Sequence, residues 1–405
     1  MSSRSAEPAA GAVTVPAPAA PWPDRLARAV LSLRPLLDVL PGPVSVDGGT
    51  RAEAAQRVLH RTTDLLGLPR IEVRPGGATD PFDRVVGGCL GLAELPIDDP
   101  DPVERIDAAA KAALAADFDR FTTRLEAVSP DGVPLRVHTA GDPADRAVVL
   151  VLAPGMPARL AGHWIRELAR EHHVVTWESR GLFGDLAAPP PADFGVPAQA
   201  GDLVAAMDRA GVRRAHVAGL CGGAVLAVAA AARHPDRIAS LSLWHGDFDL
   251  GPGSPKTDHQ RNLQALMELA ALDRSSAEAI HATLLEAIGG DVPAELAPLV
   301  LYPYATVELF ARYCELNSAV MGTDLRPELA RVTAPALVVT SEDDGTAHPE
   351  GSARVAGVLA GARLLIRPHG DHLSLFRGGP DLLGALARFL ADQHAQARSG
   401  GSGQP

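Results

Sequence analysis

The sequence predicts an α/β protein: a mostly parallel sheet flanked by helices, with a helical cap and a helical N-terminal region. From Phe121 onward, short and nearly all-apolar runs alternate with helical patterns. Runs without polar alternation belong to strands buried on both faces, as in a parallel sheet covered by helices. A hairpin signal opens this series. Between Phe248 and Arg326 helical periodicity replaces the alternation, which predicts an insertion above the carboxyl ends of the strands.

The elements follow in chain order. Residues 1–23 are Ala/Pro-rich, with no basic start and no continuous apolar run, and read as a disordered leader rather than a signal peptide. From Asp24 to about residue 118, apolar residues at helical spacing (Leu26, Val30, Leu31, Leu33; Ala55, Val58, Leu59, Leu65, Leu66; Ile106 to Phe118) predict a helical region with no recognisable catalytic motif. Gly87 and Gly88 lie in an apolar stretch, Val85 to Leu92, but lack the full spacing of a dinucleotide loop.

Residues 119–395 form the second domain. Arg124 to Val128 and Leu135 to His138 flank a Pro130-Asp131-Gly132 turn, a hairpin. The apolar runs Ala147–Ala153, His173–Glu178, Ala215–Leu220, Ile238–Trp244, Ala336–Thr340 and Arg363–Ile366 are the expected core strands. Helices at Trp164–Ala169, Leu203–Ala210 and Leu382–Leu390 lie between or after them. The cap, residues 250–325, carries one helical pattern (Leu263, Leu266, Met267, Ala270) and a second (Ile280, Leu284, Ile288) opened by a Ser275-to-Glu278 capping box. Residues 396–405, ending Gly/Ser-rich, read as a flexible tail.

Bulk properties narrow the function. The 405 residues are 46% hydrophobic, enough for a large core, and carry a net charge of −12 without a basic cluster, which disfavours nucleic acid as a partner. Cys89, Cys221 and Cys314 are far apart and odd in number, so neither a disulfide framework nor paired zinc ligands is expected. That usage suits a reducing cytoplasm. No run reaches the roughly 18 apolar residues of a membrane span. With no nucleotide fingerprint and no metal-ligand spacing, no cofactor and no metal are expected.

Chemistry concentrates at three places. In Val217-Ala218-Gly219-Leu220-Cys221-Gly222-Gly223-Ala224 a buried strand meets a Gly-rich turn and an apolar helix. This is the composition of a nucleophile elbow with Cys221 as nucleophile, because small residues at 219 and 223 permit the sharp bend. The Gly222 N–H and the helix N-terminus would face the reacting centre. Ala153-Pro154-Gly155-Met156-Pro157, after an earlier strand, stands where a second oxyanion donor belongs, the Met156 N–H. Arg367-Pro368-His369-Gly370-Asp371-His372 follows the last strand, and His372 is the expected general base, with His369 its competitor. For the acid, Asp344 at the end of the preceding strand comes first and Asp343 second, with Asp247 and Asp249 as alternatives. His234, in the corner after the elbow helix, is expected to be structural.

The order nucleophile, acid, histidine, with the oxyanion loop before it and the cap before the acid strand, resembles the α/β-hydrolase superfamily over about Phe121 to Gln393. Glu178-Ser179-Arg180-Gly181 looks like that family's acid-x-Arg-Gly turn, and Asp324-Leu325-Arg326-Pro327 like its return from the cap. Gly219-Leu220-Cys221-Gly222-Gly223 is similar to the cysteine box of polyhydroxyalkanoate synthases, although Ala224 stands where those enzymes usually carry Gly. Dienelactone-type hydrolases and some thioesterase-like enzymes of natural-product pathways also use Cys. The resemblance implies an α/β-hydrolase fold and acyl chemistry on an ester or acyl-thioester, free or carried on coenzyme A or a carrier protein. An acyl-Cys is a thioester, which favours an acyltransferase or thioesterase-like enzyme over the alternative of a plain ester or lactone hydrolase. A non-catalytic ligand binder of the same fold is the reading from another class.

Overall fold

The computed structural model describes residues 20–76, 80–92, 102–287 and 297–400. Residues 1–19 of the expected leader lie outside them, but its last residues do not belong to a leader: the first helix is Trp22–Ser32, with Trp22 and Pro23 buried. The N-terminal region is not purely helical. Strands β1 (Ser45–Asp47) and β2 (Glu72–Arg74) pair in parallel, joined by the helix Ala52–Leu66. Three residues each are too short to show a period of two, so these strands left no sequence signal. The Val85–Leu92 stretch falls largely in the helix Pro81–Leu90. Trp22, Leu26, Val30, Leu59, Val86 and Ile106 share one apolar core with Leu301 from the cap, which fixes this region against the second domain.

That domain is built on an eight-stranded sheet. In chain order the strands are β3 (Thr123–Val128), β4 (Pro134–Ala140), β5 (Ala147–Val151), β6 (His173–Trp177), β7 (Ala215–Leu220), β8 (Ile238–Trp244), β9 (Ala336–Ser341) and β10 (Arg363–Arg367). Their spatial order is β10-β9-β8-β7-β5-β6-β4-β3, with the β3–β4 and β4–β6 pairs antiparallel and the rest parallel. The chain runs from β5 outward to β6 and then back across to β7. The carboxyl ends of β5 and β7 therefore flank the point where the winding reverses, the crevice in which open α/β sheets hold their ligands.

The expected strands match these within a residue or two. β7 and β8 are fully or almost fully buried, as an unalternating apolar run demands. β10 departs from that expectation: it is the sheet's edge, and Leu364, Leu365 and Ile366 are exposed. An edge strand has a neighbour on one side only, which its composition did not announce.

Among the described residues the cap comprises the helices Asp258–Ala270, Arg274–Ala287, Ala297–Val300 and Val307–Met321, with a single helical turn at Tyr302–Tyr304. The expected Ser275–Glu278 box is not its capping device. Asp273 accepts from Ser276 N and takes the hydroxyls of Ser275 and Ser276, so the cap lies two residues earlier. A true capping box is formed by Thr257 and Gln260. At the other end the C-terminal helix runs Pro380–Gly400, so residues 396–400 are helical rather than tail, and 401–405 lie outside the described residues.

Arg180 of the acid-x-Arg-Gly turn is wholly buried. It donates to both Asp202 oxygens (2.8 and 2.6 Å) and to Asp131 (2.6 and 3.0 Å), tying the β6 turn to the helix Val196–Arg209 and to the hairpin turn. Removing Asp202 leaves this guanidinium without its fully buried partner. Asp202→Ala is therefore expected to destabilise the fold by about 3–5 kcal/mol, measured as a lowered urea midpoint.

Candidate active site

The elbow is shaped by its neighbours. Cys221, between β7 and the helix Gly223–Arg233, has φ of 54°, a left-handed conformation rarely adopted by a side chain with Cβ. The Cys221 N–H bonds Trp244 O at 2.9 Å, anchoring the turn to the end of β8. A Cβ at Gly219 would lie 2.6 Å from Ala224 Cα, and one at Gly223 would strike the Val151 carbonyl. Only glycine fits at the two flanking positions, as the bend requires. Cys221 itself is half-buried, whereas Cys89 and Cys314 are buried.

His372 and Asp344 come together at 3.1 Å, Nδ1 to Oδ1. Both are buried, and His372 opens the short helix His372–Arg377, capped by Asp371. His372 Nε2 has no hydrogen-bond partner among the described residues, yet the Cys221 sulfur is close enough to be a main influence on the ring. Burial disfavours the charged imidazole. Charge on Cys221 and the contact with Asp344 outweigh it and push the pKa up to about 10.

The second His–Asp pair of the same loops is His369 with Asp343, 3.1 Å apart and exposed. Of the other candidate acids, Asp247 accepts from Gln260 Nε2 and Asp249 pairs with Lys256. His234 closes the elbow helix as its C-terminal cap.

Sequence reasoning missed His245. Directly after β8, with φ of 47°, it is fully buried, and its Nδ1 lies 2.7 Å from Asp344 Oδ2. Its own N–H bonds Val339 O in β9. Asp344 thus sits between two imidazoles and also accepts from Thr346 N and Ala347 N. Burial alone would raise the carboxyl, but the bonds from His245 and His372 hold it far below the usual carboxylate range. His245 sits 127 residues upstream of His372 outside any motif, and only the pairing of β8 with β9 brings it to Asp344. His245, Asp344 and His372 offer ligand atoms within 4.8 Å of one another, the one such group of metal-ligating side chains among the described residues. The two histidine–carboxylate contacts already satisfy these atoms as hydrogen bonds.

The oxyanion candidates differ. The Gly222 N–H, ahead of the elbow helix, has no hydrogen-bond partner among the described residues, and a Cβ there would meet Pro154 Cδ at 2.8 Å. The Met156 N–H closes a turn onto Ala153 O at 3.2 Å, so at rest it is engaged. Gly155, at φ of 85°, packs against Tyr313 of the cap where no side chain would fit, and its N–H donates to Ser179 Oγ. The turn thereby brings the cap to the crevice beside Cys221. Among the described residues no helix is long and apolar enough to cross a membrane.

The family model for the alpha/beta hydrolase fold matches residues 148–278, which span β5, the elbow and the first cap helices. A protein of Klebsiella pneumoniae subsp. pneumoniae named "Putative carbamate hydrolase RutD" is 25% identical over 248 residues, covering 59% of this chain and 89% of that protein. Two solved structures are similar in fold. The enol-lactonase from Burkholderia xenovorans LB400 has a TM-score of 0.52 and 24% identity, over 66% of this chain and all of that one. The esterase RhEst1 from Rhodococcus sp. ECU1013 has a TM-score of 0.52 and 18% identity, over 66% of this chain and 98% of that one. Sheet order, elbow, cap position and these likenesses agree: the chain has the α/β-hydrolase fold.

Proposed function

We propose that the chain is a hydrolase that cleaves an ester or lactone through Cys221, with His372 as general base and Asp344 as the acid that orients it. The observation that carries this reading is the half-buried Cys221 in a left-handed elbow beside His372, whose other ring nitrogen is held by a buried carboxylate. In the proposed cycle His372 Nε2 holds the proton given up by the Cys221 thiol, and the thiolate sulfur attacks the acyl carbon. His372 then protonates the departing alkoxide, leaving a thioester on Cys221. Water attacks that thioester, giving its proton to His372; the carboxylic acid leaves, restoring the Cys221 thiolate beside protonated His372. The Gly222 N–H stabilises the oxyanion at both stages, and Met156 N–H would join it by leaving Ala153 O. Carbamate, enol-lactone and ester hydrolysis, the activities in the relatives' names, share this attack on an acyl carbon.

A thiol nucleophile favours a second reading, transfer of the acyl group to a thiol, amine or alcohol in place of water, because a thioester yields to those acceptors readily. Intact-protein mass spectrometry with a panel of activated esters and thioesters tests both. An acyl mass should appear on Cys221 and leave as free acid. Faster departure when an acceptor is supplied would establish transfer, and no mass on Cys221 with any member would sink the shared mechanism.

Asp344→Asn is expected to lower kcat by roughly 10²-fold or more, since the amide no longer fixes the His372 tautomer or compensates its charge. Asp343→Asn, on the exposed pair, should leave kcat within about twofold. Steady-state kinetics of both variants decide the assignment, and equal small effects would move the acid to Asp247 or Asp249. His245→Gln should cost about tenfold in kcat with KM little changed, the loss of one hydrogen bond to a charged group.

A further inference from the structure

A cleft of 230 Å³ lies between the N-terminal turn Arg34–Leu37 and the β3–β4 hairpin, with Phe183 and the cap residue Tyr302 in its wall. Arg34, Arg124, Arg136 and Arg159 face it, against Asp38, Asp119 and Glu178. Three of these arginines are engaged: Arg34 and Arg159 with Asp117 and Asp119, and Arg124 with Glu126. The half-buried Arg136 guanidinium makes no hydrogen bond or ion pair among the described residues. A second groove, of 470 Å³, adjoins the cleft through Arg124, Arg136, Phe183 and Gly184.

His138 supplies an independent observation. It lines the cleft at 7% exposure, and neither ring nitrogen has a hydrogen-bond partner. Nε2 lies 3.6 Å from Glu178 Oε1, beyond hydrogen-bond reach, and the Glu178 carboxylate is turned instead to the Ala158 N–H at 3.1 and 3.2 Å. A buried imidazole with both nitrogens idle is costly unless something outside the chain completes it.

We propose that this cleft binds a small molecule bearing a carboxylate or phosphate, with the oxyanion held between Arg136 and His138. A guanidinium offers paired N–H donors to such a group, and an imidazole N–H adds a third. Phe183 stacks on Tyr302, with ring centroids 4.6 Å apart and planes 2° from parallel, and this pair gives the ligand's body an apolar wall. The volume is below the roughly 300–1,000 Å³ of drug-sized sites, so the occupant is compact or extends into the adjoining groove. The N-terminal region would then have a function: it closes the cleft.

Calorimetric titration of the full chain with inorganic phosphate and, separately, with benzoate tests this, alongside NMR of labelled histidines. At least one probe should saturate and shift the His138 resonance, and which one does so distinguishes a phosphate ligand from a carboxylate. Arg136→Gln should weaken binding by about tenfold or more, and Arg136→Lys by less, because a point charge replaces the paired donors. Arg136 is half-exposed, so both variants are expected to fold. If neither probe saturates at millimolar concentration, water alone completes His138 and the proposal fails. Unchanged affinity in Arg136→Gln overturns it equally, because the anion is then bound elsewhere, including beside Cys221.

Discussion

Cys221→Ala is expected to lose turnover by roughly 10³-fold or more while the protein stays folded. The fold survives because the turn is set by Gly219 and Gly223, packed against Ala224 and Val151, and by the Cys221 N–H bond to Trp244 O, none of which uses the sulfur. Alanine carries the same Cβ at φ of 54°, so backbone strain is unchanged. Steady-state kinetics with any ester that the wild type cleaves, together with a thermal melt, measure the two sides separately. The same variant should also change His372. Burial pulls that ring's pKa down, and charge on Cys221 leads the influences that raise it to about 10. Without the sulfur, the His372 resonance should titrate at lower pH. The sign for stability follows: a histidine raised from 6.5 to about 10 contributes stability that is fully present below pH 6.5 and lost as pH rises toward 10. Turnover at the wild-type rate would remove Cys221 from the mechanism.

The parts legible in the sequence are those where one physical demand acts on consecutive residues. β7 and β8 are mostly apolar because helices cover both faces, and their polar exceptions, His216, Ser240 and Ser242, bond one another, so the strand bounds matched to the residue. The elbow had to carry glycine at 219 and 223 because backbone atoms lie where side chains would go, and at 222 the Pro154 ring takes that space. His372 and Asp344 were placed by chain order, Asp344 after the buried strand β9 and His372 after the edge strand β10. What stayed hidden depends on contacts between distant segments. His245 reads as one more histidine until the β8–β9 pairing brings it to Asp344. His138 looks like an ordinary strand residue, and its idle ring emerges only when the N-terminal region packs beside the hairpin. The misread cap at Ser275 has a local cause: Asp273, two residues earlier, is the stronger acceptor for the first-turn N–H groups.

The second large effect is expected at His372, where replacement by Ala should lower kcat by roughly 10³-fold, close to the loss at Cys221. The two losses should not add, since each residue acts through the other: in the double variant kcat should match the poorer single one. His369→Ala provides the internal control. Its ring is 87% exposed and pairs with Asp343 on the surface, so kcat should stay within about twofold. The comparison is sharp because both histidines lie within six residues of one another and each has its own aspartate at 3.1 Å, so distance alone does not choose between them. In the proposed mechanism burial makes the choice: a general base must exchange its proton with the nucleophile rather than with solvent, and of the two only the His372 ring is shielded and under the influence of Cys221. Exogenous imidazole should partly restore His372→Ala, because the variant leaves a ring-sized space beside an intact Asp344. A His369→Ala enzyme that is inactive beside a normal His372→Ala enzyme would transfer the role to the exposed pair and, with it, the acid from Asp344 to Asp343.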